Sequence, residues 1–153
     1  MNRLKITTAL IFIIITGCSS EKNGLPSIDD IADTGRWYSQ AQVERGEQIF
    51  QTWCTSCHGL NAEGTKEWKV LSSEGTLPPP PLNGTAHAWH HPLEVLSDVI
   101  DKGGLPLGGT MPAFSSQLDR QDKFDVIAFF QQYWPDKVYQ QWLLRERAYR
   151  SQN

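Results

Sequence analysis

Apolar positions recur at helical spacing in four stretches of this chain, and nowhere alternate as a strand would. The first begins at Ser39, which has capping-box spacing to Gln42, and carries Val43, Gly46, Phe50 and Trp53 on or near one face before running into Cys54. The second begins at Pro92, a residue suited to the first helical position. Its stripe is Leu93, Leu96, Val99 and Ile100, and Gly103 and Gly104 stop it. The third and longest spans Asp119 to Trp134: Asp119 caps it, Asp122 and Asp125 suit its positive end, and Pro135 ends it. Its predicted buried face uses Phe124, Val126, Ile127, Phe129, Phe130 and Tyr133. The fourth, Asp136 to Tyr149, sets Val138, Trp142, Leu143 and Tyr149 against several charges. Between them, Gly59 to Gly84 and Leu105 to Ser116 are loops punctuated by glycine and proline, and the run Pro78 to Pro81 cannot lie inside a helix. The pattern predicts an all-α domain of short helices wrapped by loops. So much loop leaves a thin core, which a large flat apolar cofactor would complete.

The first residues follow another logic. Met1 to Lys5 is short and basic, and Ile6 to Ile15 is uncharged. Ten residues cannot cross a hydrocarbon core that needs about 20 helical residues, so the pair reads as an export signal. Ile15-Thr16-Gly17-Cys18 resembles the lipobox of bacterial lipoproteins, which implies cleavage before Cys18 and its acylation. Ser19 after it resembles lipoproteins sorted to an outer membrane. Ser19 to Tyr38 has no sustained period and contains Ser, Asn, Gly, Pro and four acids, so it reads as a flexible tether. The expected organisation is a signal peptide over 1–17, a lipidated tether over 18–38, a helical domain over 39–135 and an amphipathic helical tail over 136–153. The expected location is outside the cytoplasm, anchored to a membrane by lipid.

Without residues 1–17, which hold Arg3 and Lys5 and no acid, 12 basic side chains face 17 acidic ones, a balance of −5. No basic face for nucleic acid is indicated. The chain has three cysteines, and with Cys18 given to lipid only Cys54 and Cys57 remain.

Cys54-Thr-Ser-Cys57-His58 carries the most specific chemistry. Cysteines three apart on a helical turn project together and can form thioethers with the two vinyl groups at one haem edge. The histidine next in line then meets the iron, so the motif reads as c-type haem attachment. A redox dithiol, a structural disulfide or half a zinc site are the competing readings. A second C-x-x-C and a βαβ pattern, which two of these require, are both missing from the sequence. Past the signal the chain holds one methionine, Met111, in Gly108-Gly-Thr-Met-Pro-Ala-Phe114. Packing is the usual role of a lone methionine, but a loop between Gly-Gly and Pro is a poor place for it. Met111 is therefore the candidate sixth ligand, and a thioether opposite histidine raises the potential. His87-Ala-Trp-His90-His91 is a second cluster with three open readings: a loop whose His87 and Trp89 bond a haem propionate, a copper site, or an alternative iron ligand.

From Gly46 to Trp134 the pattern resembles the class I cytochrome c family, the small monohaem helical fold. Gly46 and Phe50 match its glycine–aromatic pair on the first helix, and Phe129, with Val126 one turn before, matches the last helix crossing it. Cys54, Cys57 and His58 match the haem motif, Met111 the distal ligand, and Pro80-Pro-Leu-Asn-Gly84 the proline-led loop. The resemblance implies one covalent haem c and a Pro80 carbonyl that accepts from His58 Nδ1, with Pro79 and Pro81 as neighbouring candidates in the same run. It also implies an exposed haem edge framed by Thr55, Ser56 and Leu105 to Phe114, segments without charge. The expected function is electron transfer between redox partners such as a membrane oxidase, reductase or dehydrogenase, and no catalysis. Two alternatives stand beside it: a fixed haem subunit of a larger oxidoreductase, or a peroxidase or gas sensor in which Met111 leaves the iron.

Overall fold

The computed structural model describes residues 24–153. The expected signal, Cys18 and the start of the tether lie outside them. Five α-helices make the fold: α1 (Gln40–Trp53), α2 (Thr55–His58), α3 (Leu93–Lys102), α4 (Arg120–Gln131) and α5 (Asp136–Arg150). Two single turns of 3-10 helix, Ala88–His90 and Leu105–Leu107, sit in the loops. Among the described residues the only strand-like pairing is one isolated bridge, Leu77 to Gly109. The all-α architecture of short helices and long loops is as expected. None of these helices is long and apolar enough to cross a membrane.

Helices α1 and α4 form the crossing on which the rest is built. Both start on reciprocal caps. Ser39 and Gln42 close α1, the Gln42 amide donating to the Ser39 hydroxyl at 3.3 Å and the Ser39 amide to Gln42 Oε1 at 3.1 Å. Asp119 and Asp122 do the same for α4, at 2.8 and 3.0 Å. Each box satisfies two backbone donors that a helix start leaves open. Gly46 lets the helices touch, and Phe50 meets Phe129 with ring centroids 4.9 Å apart. Trp53 lies beyond the crossing, exposed, and faces the cavity described below.

Helix α4 differs from its expected form in two ways. It ends at Gln131, with turns from there to Trp134, and Tyr133 is exposed. It is also buried on every side from Lys123 to Gln131, so no single stripe describes it. Its buried polar groups have partners from distant sequence. Asp125 accepts from Arg45 Nε at 2.7 Å and Gln42 Nε2 at 3.3 Å, besides Gln121 one turn before it at 2.8 Å; Gln131 Oε1 accepts from Trp37 Nε1 at 2.8 Å, and Lys123 pairs with Asp101. Pro92 caps α3 from outside its first turn.

The expected tether needs the largest correction. Residues 24–38 are a packed strap and not free coil. Ile28, Trp37 and Tyr38 are buried in the core. Arg36 donates to the carbonyls of Gln131 at 2.6 Å and Trp134 at 2.8 Å, satisfying acceptors that the end of α4 exposes, where a cation is favoured. Arg150 donates to the Pro26 carbonyl at 2.8 Å. The helix after Pro135 is likewise part of the fold and not an appended tail. Trp142 is fully buried, and its indole donates to the His91 carbonyl at 3.0 Å. Buried Glu146 accepts from the Leu93 amide at 2.7 Å, serving as a cap for α3 from another helix.

Candidate haem site

A cavity of about 730 Å³ opens between α2, α3 and the two long loops. Cys54, Cys57, His58 and Met111 all line it, and the rest of its wall is mostly apolar, with Leu96, Ile100 and Phe130 as examples. Cys54 ends α1 and opens α2: its amide donates to Phe50, and its carbonyl accepts from the amides of Cys57 at 3.1 Å and His58 at 2.9 Å. One helical turn thus places both sulfurs and the imidazole on one wall. Burial pushes the Cys54 thiol up to about 12, with Cys57 adding in the same direction. A redox dithiol needs a lowered, thiolate-forming cysteine, so the buried position suits a thioether better than thiol exchange.

His58 is buried, and its ring lies 3.0 Å from the Pro80 carbonyl through Nδ1. A carbonyl only accepts, so Nδ1 carries the hydrogen and Nε2 keeps the lone pair. Burial also lowers the imidazole pKa, against a smaller raising effect of the Pro80 bond, which keeps the ring neutral. A neutral, oriented imidazole is what an iron ligand requires.

Within the proline run the structure singles out Pro80. The Thr65 amide takes the Pro79 carbonyl at 2.9 Å, and His58 takes that of Pro80. Gly64 makes the approach possible. It has φ +62, donates to the His58 carbonyl at 2.7 Å, and a Cβ there would stand 2.4 Å from the Pro80 carbonyl carbon.

Met111 is half-buried at the cavity wall. The sequence points to Gly108 and Gly109 as the glycines that admit it, but a Cβ at Gly108 would meet nothing within 4 Å. The close approach is made by Gly103 and Gly104 at the end of α3. A Cβ on Gly103 would fall 2.8 Å from the Met111 carbonyl oxygen, and the Gly104 amide donates to that oxygen at 2.9 Å.

The second cluster divides. His87 and His91 line the cavity, with ring centroids 5.6 Å apart. His90 is exposed and stacks on Trp89 at 3.7 Å. Trp89 is not on the cavity wall; Trp68, which the sequence reading did not single out, is, with its ring 5.1 Å from His87. Among the described residues no three metal-binding side chains converge, so the copper reading has no geometry behind it.

Apolar walls, two cysteines on one turn, an oriented imidazole and a thioether on the same cavity fit a covalently bound haem. Neither the curated proteins nor the solved structures contain a match. The family model described as Cytochrome C oxidase, cbb3-type, subunit III matches residues 41–130, from the first turn of α1 to the last turn of α4. The chain therefore belongs to this family of class I c-type cytochromes, whose cofactor is covalently bound haem c with its iron.

Proposed function

We propose that this protein is a membrane-tethered one-electron carrier working outside the cytoplasm, with no catalytic residue of its own. The observation that carries the site assignment is the His58 Nδ1 bond to Pro80 on the wall that Cys54, Cys57 and Met111 share. When bound, the haem supplies a one-electron iron couple. Cys54 and Cys57 would hold it by thioethers, and His58 Nε2 and the Met111 sulfur would ligate its iron. With both ligands supplied by the protein, such an iron would offer no open site to peroxide or a gas. Leu77, Leu105 and Leu107 are exposed near the cavity and form an uncharged contact area for a redox partner, in keeping with the charge-free segments there. Cys18 bears the lipid.

The test is Met111→Ala. The variant is expected to keep its haem through acid-acetone extraction, lose the red-edge absorption of a methionine–iron bond, and drop in potential. An unchanged spectrum and potential would remove Met111 from the iron. Lost packing also costs about 2–5 kcal/mol for Met→Ala, so stability does not identify the ligand and the spectrum decides.

A second reading is favoured by the family itself, whose description names an oxidase subunit. On it the domain is a fixed haem subunit of a membrane oxidoreductase. Co-purification in detergent at a fixed ratio with a larger haem protein distinguishes that from a free carrier.

A further inference from the structure

No lysine, arginine, aspartate or glutamate lines the cavity. The haem of this family brings two carboxylates of its own into that apolar space, and a buried charge without a partner is costly. Cys54, Cys57, His58, His87 and His91 are the titratable side chains on the wall. Three belong to attachment and ligation, so His87 and His91 are the pair left to meet those carboxylates. They are the two caps of the single turn Ala88–His90, set edge to face at 5.6 Å, with the Trp68 ring 5.1 Å from His87. His87 is exposed and His91 half-buried, so protons can reach them from solvent.

We propose that His87 and His91 donate hydrogen bonds to a haem carboxylate, and that this pair takes up a proton from solvent when the iron accepts an electron from a one-electron protein donor. The proposal rests on a haem seated in this cavity. Its physical basis is linkage. An added electron makes the site more negative and favours the protonated pair, so protonation in turn favours the reduced iron.

The surroundings leave the pair free to respond. Burial lowers both imidazole pKa values first, then His90 and Lys69 for His87, and His87 and His90 for His91. No acid raises either. Lys69 stands over the Trp68 ring at 5.0 Å, and from α5 Arg145 lies over Trp89 at 5.2 Å. The neighbouring acids are already engaged, Glu146 by Leu93 and Arg150 and Glu94 by the Tyr149 hydroxyl. A haem carboxylate would thus be the first anion to act on the pair.

The experiment is the reduction potential of the holoprotein against pH. It is expected to fall as pH rises between about 5 and 8, where histidine changes charge. The limit is a tenfold change in the reduced-to-oxidised ratio per pH unit for one coupled proton, or about 59 mV. In the His87→Gln, His91→Gln double variant this slope is expected to flatten, with the low-pH potential dropping toward the high-pH value. His91 serves Trp142 through its backbone carbonyl, which glutamine retains. A wild-type potential that stays flat over this range, or a slope that survives the double substitution, overturns the proposal. A second measurement needs no variant: imidazole titrations by NMR in both oxidation states. Equal pKa values for both histidines in the two states overturn the proposal; a higher value in the reduced state supports it. The haem reading itself is tested separately, through extraction and the methionine band.

Discussion

Gly64 shows how one missing side chain sets an iron ligand. Its φ of +62 would cost another residue about 1–2 kcal/mol, and its α-carbon sits so close to the proline run that a Cβ would lie 2.4 Å from both Pro80 C and Pro81 N. Consecutive prolines cannot bend away, because each φ is fixed by its ring. Gly64→Ala is therefore expected to push the Pro80 carbonyl off His58 Nδ1. The imidazole then becomes a weaker donor, the ferric state loses stabilisation, and the potential rises. Gly75→Ala is the control. It has φ +76 and nothing within 4 Å, so it imposes backbone strain without the contact. If both variants shift the potential equally, or neither does, the Gly64 contact is not what orients His58. At this scale the sequence is most legible where residue type alone carries chemistry. Cys54, Cys57, His58 and Met111 come to one cavity because few other side chains do what they do. Trp68 and the Gly103–Gly104 approach were not legible, because both depend on where a loop returns in space, which no local spacing encodes.

The α1–α4 crossing depends on Gly46 in a different way. A Cβ there would stand 1.9 Å from the Asp125 carbonyl oxygen and 3.0 Å from Phe129 Cβ. Two effects oppose each other in Gly46→Ala. Helix propensity favours alanine by about 1 kcal/mol, whereas overpacking a tight core costs about 1–3 kcal/mol or more. Contact with backbone at 1.9 Å cannot be relieved by a rotamer change, so the helices must separate, and the steric cost wins. Separation also pulls Phe50 from Phe129 and strains the Arg45–Asp125 pair. The unfolding midpoint of the holoprotein is expected to drop by several degrees, given about 4 °C per kcal/mol in a domain of this size. An unchanged midpoint would mean that the crossing tolerates the methyl and that Gly46 is not what brings the helices together. The helices themselves were legible from period and caps. The all-round burial of α4 was not: Asp125, Lys123 and Gln131 look like a solvent face until Arg45, Asp101 and Trp37 arrive from elsewhere in the chain.

For the whole molecule, the strap changes what an anchor can do. Composition over Ser19 to Tyr38 reads as a tether of about 20 residues, with a coil span of roughly 25 Å and a much longer full extension. Over residues 24–38 the reading fails because three anchors, Ile28, Trp37 and Tyr38, are enough to bury an aperiodic segment, and periodicity does not register single anchors. With Arg36 tied to α4 and Arg150 holding Pro26, the strap joins the domain from Leu25 onward. On the lipid-anchored reading, the chain from Cys18 to Gly24 is six residue steps and reaches at most about 22 Å. The domain is then held against the membrane surface and is not free to search far above it. A partner must present its docking face close to the same surface, and the short link keeps the effective concentration high. Inserting about 20 Gly/Ser residues after Asn23 leaves every strap contact in place and dilutes the domain roughly with the −3/2 power of tether length. Electron transfer to the native membrane partner is expected to slow several-fold, and Cys18→Ala, which frees the domain from the lipid, to slow it further. A faster rate in the lengthened form would show that reach, and not proximity, limits the encounter, and that the strap restrains a carrier whose partner stands farther out.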